Sequence, residues 1–327
     1  MRVLITGGAG FLGSHLAERL LKDGNRVDII DLPETIRAGK IEHLKGNGDL
    51  CVYPGSILDR DLIDKLIWQC DVVFHFAAVV GVAHYVAKPY DVLSVNVNGT
   101  QLVLDIALKY NKKVIFSSTS EVYGKSNKMP FHEDDDRVLG PTNIDRWCYS
   151  TSKAVGEHFC FAMQPKGLRF VILRFFNAYG PRLDSIESGR VLSLFIGKCL
   201  KGVPLIVHGD GTHTRCFTYV SDTVEGIVRA SRVPEAEGQV LNIGTDVETR
   251  IIDLAEKTCD IFEIERNIVF QGHNDEYGLS YEDIPRRVPS VEKAERIMGF
   301  RATVPLEAGL KKTVESFKQD WVAKQVR

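Results

Sequence analysis

Tyr149 and Lys153 stand four residues apart in the run Tyr149-Ser150-Thr151-Ser152-Lys153. On a helix this spacing puts both side chains on one face, within reach of one substrate. An ammonium beside a phenol favours the phenolate, so the pair predicts a tyrosine whose pKa is lowered far enough to take a proton from an alcohol. Upstream, the apolar run VIFSS reads as a strand and ends in Thr119-Ser120-Glu121, two hydroxyls followed by a carboxylate. Together these groups form an acid–base kit. A tyrosine and a lysine on one helix face are, by themselves, an ordinary surface pair. Other elements must therefore place a reactant beside them.

The N-terminus supplies the first of those elements. Arg2–Thr6 is a β-rich run leading into Gly7-Gly8-Ala9-Gly10-Phe11-Leu12-Gly13, followed by the amphipathic pattern SHLAERLLKDG. Strand, glycine turn and helix in that order form a dinucleotide fingerprint. Gly7 and Gly10 let the backbone turn tightly and approach a pyrophosphate, while Gly13 lets the helix pack close to the strand. Free N–H groups at the helix start meet the phosphates. The next strand, RVDII, ends in Asp31. A carboxylate there accepts from both ribose hydroxyls and repels a 2′-phosphate, which predicts NAD rather than NADP.

Strand and helix patterns then alternate. LCVYPGSI precedes the helix DRDLIDKLIWQC, and DVVFHFAA is a buried strand ending at Ala77 and Ala78, small enough for a cofactor to lie against. Pro89–Tyr110, which contains Asn96, reads as one helix, and LRFVILRF as another buried strand. This pattern predicts an α/β fold with a Rossmann-type doubly wound parallel sheet. Ligands of such sheets sit at the carboxyl ends of the strands, where the glycine turn, Ala77-Ala78 and Thr119-Ser120-Glu121 all fall. Beyond Arg174 the elements are shorter. Residues 1–175 are expected to form the NAD-binding domain, with segments near 215–243 returning to it. Residues 176–327 are expected to form a smaller α+β lobe over the sheet. Arg182, Arg190, Arg215, Arg286 and Arg287 lie near loops there, and arginine forks suit phosphate and carboxylate. Glu133-Asp134-Asp135-Asp136 reads as a solvated loop rather than a metal site.

Composition excludes several classes of function. The 327 residues are 44% hydrophobic and 26% charged, as in ordinary globular proteins, with a formal net charge of −2. That balance argues against nucleic acid or an acidic membrane surface as a partner. The seven cysteines include no CxxC pair, which predicts reduced thiols and no metal site. No run approaches membrane-spanning length, and the first residues enter a strand with no room for a signal peptide. A cytoplasmic protein is expected.

GGAGFLGSH, HFAA, NVNGT, STSEVYG, YSTSK, RFFNAYGPR, HGDGTHTRCFTYVSD and LNIG, in this order, resemble the extended short-chain dehydrogenase/reductase family acting on nucleotide sugars. The resemblance spans essentially the whole chain. It implies that Tyr149 is the base in oxidation of a sugar hydroxyl by bound NAD, and that Lys153 lowers its pKa and holds the nicotinamide ribose. Thr119 would orient the C4 hydroxyl. The cofactor set it implies is Gly7, Gly10, Phe11, Leu12, Gly13, Asp31, Ser56, Ile57, Ala77, Ala78, Asn96 and Ser117, with Tyr149 and Lys153. Ser56 departs from the acidic residue that many members carry there. Asn177, Arg190 and Arg215 fall where members grip the nucleotide diphosphate, and Arg182 and Val191 join the implied substrate-binding set, making residues 176–327 a nucleotide-sugar-binding lobe. A homodimer through the helices at Pro89–Tyr110 and Tyr149–Gln164 is also implied.

Thr119-Ser120-Glu121 separates the subfamilies. The 4,6-dehydratases usually have an Asp-Glu pair where Ser120-Glu121 stand, which counts against dehydration. Thr-Ser-Glu resembles UDP-glucuronate decarboxylases, as do Arg146-Trp147-Cys148-Tyr149, Tyr277-Gly278 and Arg287-Val288-Pro289-Ser290. Arg287 matches an arginine placed near the substrate carboxylate. The resemblance thus implies oxidative decarboxylation of UDP-glucuronate to a UDP-pentose. A UDP-glucuronate or UDP-hexose 4-epimerase is the alternative, and a non-catalytic NAD-binding module a distant third.

Overall fold

A computed structural model describes residues 1–187, 189–272 and 282–325. Six strands come first: β1 (Arg2–Thr6), β2 (Arg26–Asp31), β3 (Leu50–Pro54), β4 (Val72–His75), β5 (Lys113–Thr119) and β6 (Phe170–Phe175). Between them run α1 (Phe11–Lys22), α2 (Pro33–Arg37), α3 (Arg60–Gln69), α4 (Val82–Ala87), α5 (Pro89–Leu93), α6 (Gly99–Lys109) and α7 (Arg146–Met163). Further on come β7 (Ala178–Tyr179), α8 (Val191–Lys201), β8 (Leu205–His208), β9 (Thr214–Cys216), β10 (Thr218–Tyr219), α9 (Val220–Arg232) and β11 (Val240–Ile243). The last elements are β12 (Glu248–Arg250), α10 (Ile251–Phe262), β13 (Ile268–Gln271), β14 (Arg286–Arg287), α11 (Glu292–Met298) and α12 (Leu306–Gln325).

Seven strands form one sheet in the order β11-β6-β5-β4-β1-β2-β3, and every pairing is parallel. Parallel strands covered on both faces should be apolar throughout, and β5 is buried along its whole length. The chain order reverses between β1 and β4, which opens a crevice at their carboxyl ends. The glycine turn lies in that crevice. Gly7 has φ +73°, and a Cβ there would sit 2.7 Å from the Ala77 nitrogen. A Cβ at Gly13 would sit 2.2 Å from the Gly7 carbonyl, so α1 could not pack onto the turn with any other residue.

Two local expectations are corrected. Pro89–Tyr110 is not one regular helix, because a π-helical segment, Ser94–Asn98, separates α5 from α6. The wider turn carries the buried Asn96, whose side chain accepts from Val79 N (2.8 Å) and donates to Val79 O (3.2 Å) and the Ser152 hydroxyl (3.1 Å). Such bulges often mark functional positions. The acidic run at 133–136 is also not wholly solvated. Glu133 is buried, and its carboxylate accepts from Asn242 N at 2.8 Å, which ties the loop to β11. Beside the main sheet lie small ones, among them the three-stranded β12-β9-β14. No helix of the described residues is long and apolar enough to cross a membrane.

Candidate active site

α7 begins at Arg146, three residues before Tyr149, so its first two turns carry both Tyr149 and Lys153 on one face. Tyr149 is 7% exposed and stacks on Tyr85, with ring centroids 5.0 Å apart and planes inclined by 10°. This stack fixes the plane of the phenol. β5 ends at Thr119, whose hydroxyl accepts from Glu121 N at 3.2 Å and so starts a short 3-10 turn through Ser120 and Glu121. The Ser150 hydroxyl donates to the Glu121 carbonyl at 2.7 Å, fastening that turn to α7. Ser120 is buried within the turn.

The expected electrostatics of the pair are corrected. The Lys153 ammonium is directed at Ser117, donating to its carbonyl at 2.7 Å and its hydroxyl at 3.3 Å. Burial pushes Lys153 down to about 7, against the pull of Glu157. Tyr149 is not lowered in this structure. Burial raises it first and the Glu121 carboxylate adds to that, while Arg190 and a hydrogen bond with Thr119 act the other way. Four residues of spacing guarantee a common face, but desolvation of a sealed phenol outweighs a cation that is hydrogen-bonded elsewhere.

Next to this pair lies an arginine–carboxylate cluster. Glu121 Oε1 is 3.6 Å from Arg287 Nη1 and 3.9 Å from Arg146 Nη2. Both distances exceed a good hydrogen bond. Glu121 Oε2 and Arg287 Nε are buried with no hydrogen-bond partner among the described residues. Asp283 braces the far side, 3.3 Å from Arg146, 3.0 Å from Arg215 and 2.9 Å from His213 Nδ1. Burial raises its carboxyl, but His213, Arg215, Arg146 and Arg287 together hold it well below the usual range. Arg287 and Arg215 are neighbours in the parallel β14–β9 register, so a strand pairing delivers both.

Asn177, Arg190 and Val191 lie elsewhere around the crevice. Asn177 Nδ2 is buried without a partner among the described residues. Arg190 precedes Val191, the first residue of α8, and its guanidinium lies 5.6 Å from the Phe11 ring, above the glycine turn. Arg182 is not brought to the cluster. It is held to α1 by Glu18 at 2.8 Å and by His15 at 2.6 Å. Tyr277-Gly278 lie outside the described residues.

The residues of the crevice fit a dinucleotide. A Cβ at Gly10 would meet only the Gly7 carbonyl, at 3.2 Å, so the turn's outer side is open to a pyrophosphate. Asp31 accepts from Ala9 N and Leu32 N, each at 2.9 Å, which fixes the carboxylate while leaving lone pairs for ribose hydroxyls. Phe11 and Leu12 open α1, and Ala77 and Ala78 continue from β4. Ser56 and Ile57 follow β3. The Ser56 hydroxyl accepts from Leu58 N at 3.2 Å, and Ile57 packs against Gly99.

Sequence reasoning left three participants unassigned: Tyr85, Asp283 and the role of Arg146. Arg146 had a signal, since it lies three residues before Tyr149 on the same helix. Tyr85 and Asp283 had none, because their contacts join segments distant in sequence.

The model of the NAD dependent epimerase/dehydratase family matches residues 3–244. The UDP-N-acetyl-alpha-D-glucosaminuronate decarboxylase of Bacillus cytotoxicus is 42% identical over 319 residues, covering 97% of this chain and 98% of that protein. UDP-glucuronic acid decarboxylase 1 of Danio rerio is 34% identical over 320 residues, covering 98% of this chain and 73% of that protein. Among solved structures, UDP-glucuronic acid 4-epimerase from Bacillus cereus, in complex with UDP-glucuronic acid and NAD, superposes with a TM-score of 0.87 at 31% identity. That match covers 98% of this chain and 99% of the epimerase.

Proposed function

We propose that this chain, which belongs to the NAD dependent epimerase/dehydratase family, is an NAD-dependent decarboxylase of a UDP-linked hexuronic acid. The observation that carries the reading is the pair Glu121 and Arg287, each buried with a polar atom unpartnered among the described residues, beside Tyr149. A buried guanidinium with an unused N–H suits a carboxylate. Neutral-sugar chemistry needs no such group.

Bound NAD supplies the oxidant for C4 and afterwards the reductant. The chain's residues do the rest. Tyr149 takes the proton of the C4 hydroxyl, and Thr119 orients that hydroxyl from the end of β5. A ketone at C4 is β to the C6 carboxylate, so CO2 leaves with its bonding electrons delocalised onto the C4 oxygen. Hydrogen bonds from Tyr149 and Thr119 stabilise that enolate. Arg287 orients the carboxylate before the bond breaks, and Glu121 or a water it holds delivers a proton to C5. Asn177, Arg190 and Arg215 bind the diphosphate.

Incubation with UDP-glucuronate and, separately, UDP-N-acetylglucosaminuronate tests this, followed by proton NMR of the sugar and by CO2 release. A UDP-pentose (or its 2-acetamido counterpart) with stoichiometric CO2 is the expected result. An epimerised uronate without CO2 would make the chain a 4-epimerase, a reading favoured by its likeness to the Bacillus cereus enzyme.

The proposal extends to a cytoplasmic homodimer. The described cysteines are all free, as in a reducing compartment. α5 exposes Tyr90 (78%) and α7 exposes Phe161 (42%), apolar surface on helices suited to pairing with a second copy. Sedimentation equilibrium should return twice the chain mass; a monomer at micromolar concentration would remove the dimer.

A further inference from the structure

Glu157 lies one turn beyond Lys153, so α7 presents Tyr149, Lys153 and Glu157 at successive four-residue steps. It is buried, and Arg174 of β6 grips it with two prongs, Nη2 to Oε2 at 2.7 Å and Nε to Oε1 at 3.0 Å. The Ser118 hydroxyl donates to Oε1. Arg174 in turn donates to the Glu133 carbonyl at 2.9 Å and lies 4.8 Å from the Tyr123 ring. The carboxylate is therefore dry and fixed. A buried ion pair is weak grounds for stability, since packed apolar residues often serve as well. Its place directly beneath a catalytic lysine suggests another use.

The surroundings of Lys153 identify that use. From β5 it meets the Ser117 carbonyl and hydroxyl, and the Phe116 ring at 5.2 Å. From β4 comes His75, which burial brings down to about 3, so it is neutral. On α7 itself, Tyr149 is a neutral phenol in this structure. Among the described residues, Glu157 is the charge that favours the ammonium, with Arg174 standing behind it.

We propose that Glu157 is a positioning residue that keeps Lys153 charged, and so keeps its hold on the nicotinamide ribose and its field at Tyr149. This rests on Tyr149 and Lys153 being the acid–base pair. It does not depend on which uronic acid is the substrate.

The test compares Glu157→Gln with Glu157→Asp, each shown to be folded by thermal unfolding. NADH binding, read by its fluorescence, and kcat/KM are followed against pH. Losing the carboxylate charge favours neutral lysine, so the alkaline limb of both profiles moves to lower pH in Glu157→Gln, by about one unit. Glu157→Asp keeps the charge and leaves the limb in place. Equal behaviour of the two variants, shifted or unshifted, overturns the proposal. Should Glu157→Gln not accumulate, the double variant Glu157→Gln/Arg174→Met removes both members of the buried pair together. Its alkaline limb also moves to lower pH, and an unmoved limb overturns the proposal. The NADH profile needs no turnover, so its outcome is separable from failure of the decarboxylase reading.

Discussion

Tyr149→Phe is expected to lower kcat about 10^2- to 10^4-fold, the range for losing a positioned acid–base group, while NADH still binds. The substitution removes one oxygen and keeps the ring, so the stack on Tyr85 and the packing of α7 survive. The loss should fall on kcat rather than KM, because the phenol acts on a proton that moves only in the transition state. Two neighbours tune the same group in opposite senses. Arg190 lowers the phenol's pKa, so Arg190→Gln moves the acid limb of kcat/KM to higher pH. Glu121 raises it, so Glu121→Gln moves that limb to lower pH. Steady-state rates across pH check both signs. A Tyr149→Phe enzyme with undiminished kcat would assign the proton transfer to another group.

The parallel sheet and its first turn were legible because their signals are local. Strand, glycine turn and helix occupy Arg2–Lys22 without interruption, and apolar β-branched runs mark the parallel strands. Tyr149 and Lys153 were legible for the same reason, since helical spacing alone sets their common face. What spacing could not give was the direction of the Lys153 ammonium, which depends on a Ser117 carbonyl 36 residues away. Nor could it give the bracing of Arg146, which spans 136 residues to the Glu282 carbonyl and 137 to Asp283. Glu133 was misread because an acidic run looks solvated until β11 brings Asn242 N to it across 109 residues. Contacts of that length depend on the closed fold and leave no periodicity in the chain.

Arg287→Ala is expected to cut kcat/KM for the uronic acid about 10- to 100-fold, as for loss of a charge-assisted hydrogen bond, and to raise KM. Glu121→Gln should behave differently. It keeps the shape of the turn and the Ser150 bond to the Glu121 carbonyl, and it leaves Arg287 free to grip the substrate. KM should therefore change little, while kcat for the pentose falls because C5 is not protonated after CO2 has left. The contrast separates holding the carboxylate from completing the reaction. Progress curves of CO2, with the keto sugar followed by NMR, distinguish the two. If both variants release CO2 and form the pentose at the wild-type rate, the roles given to Glu121 and Arg287 fail.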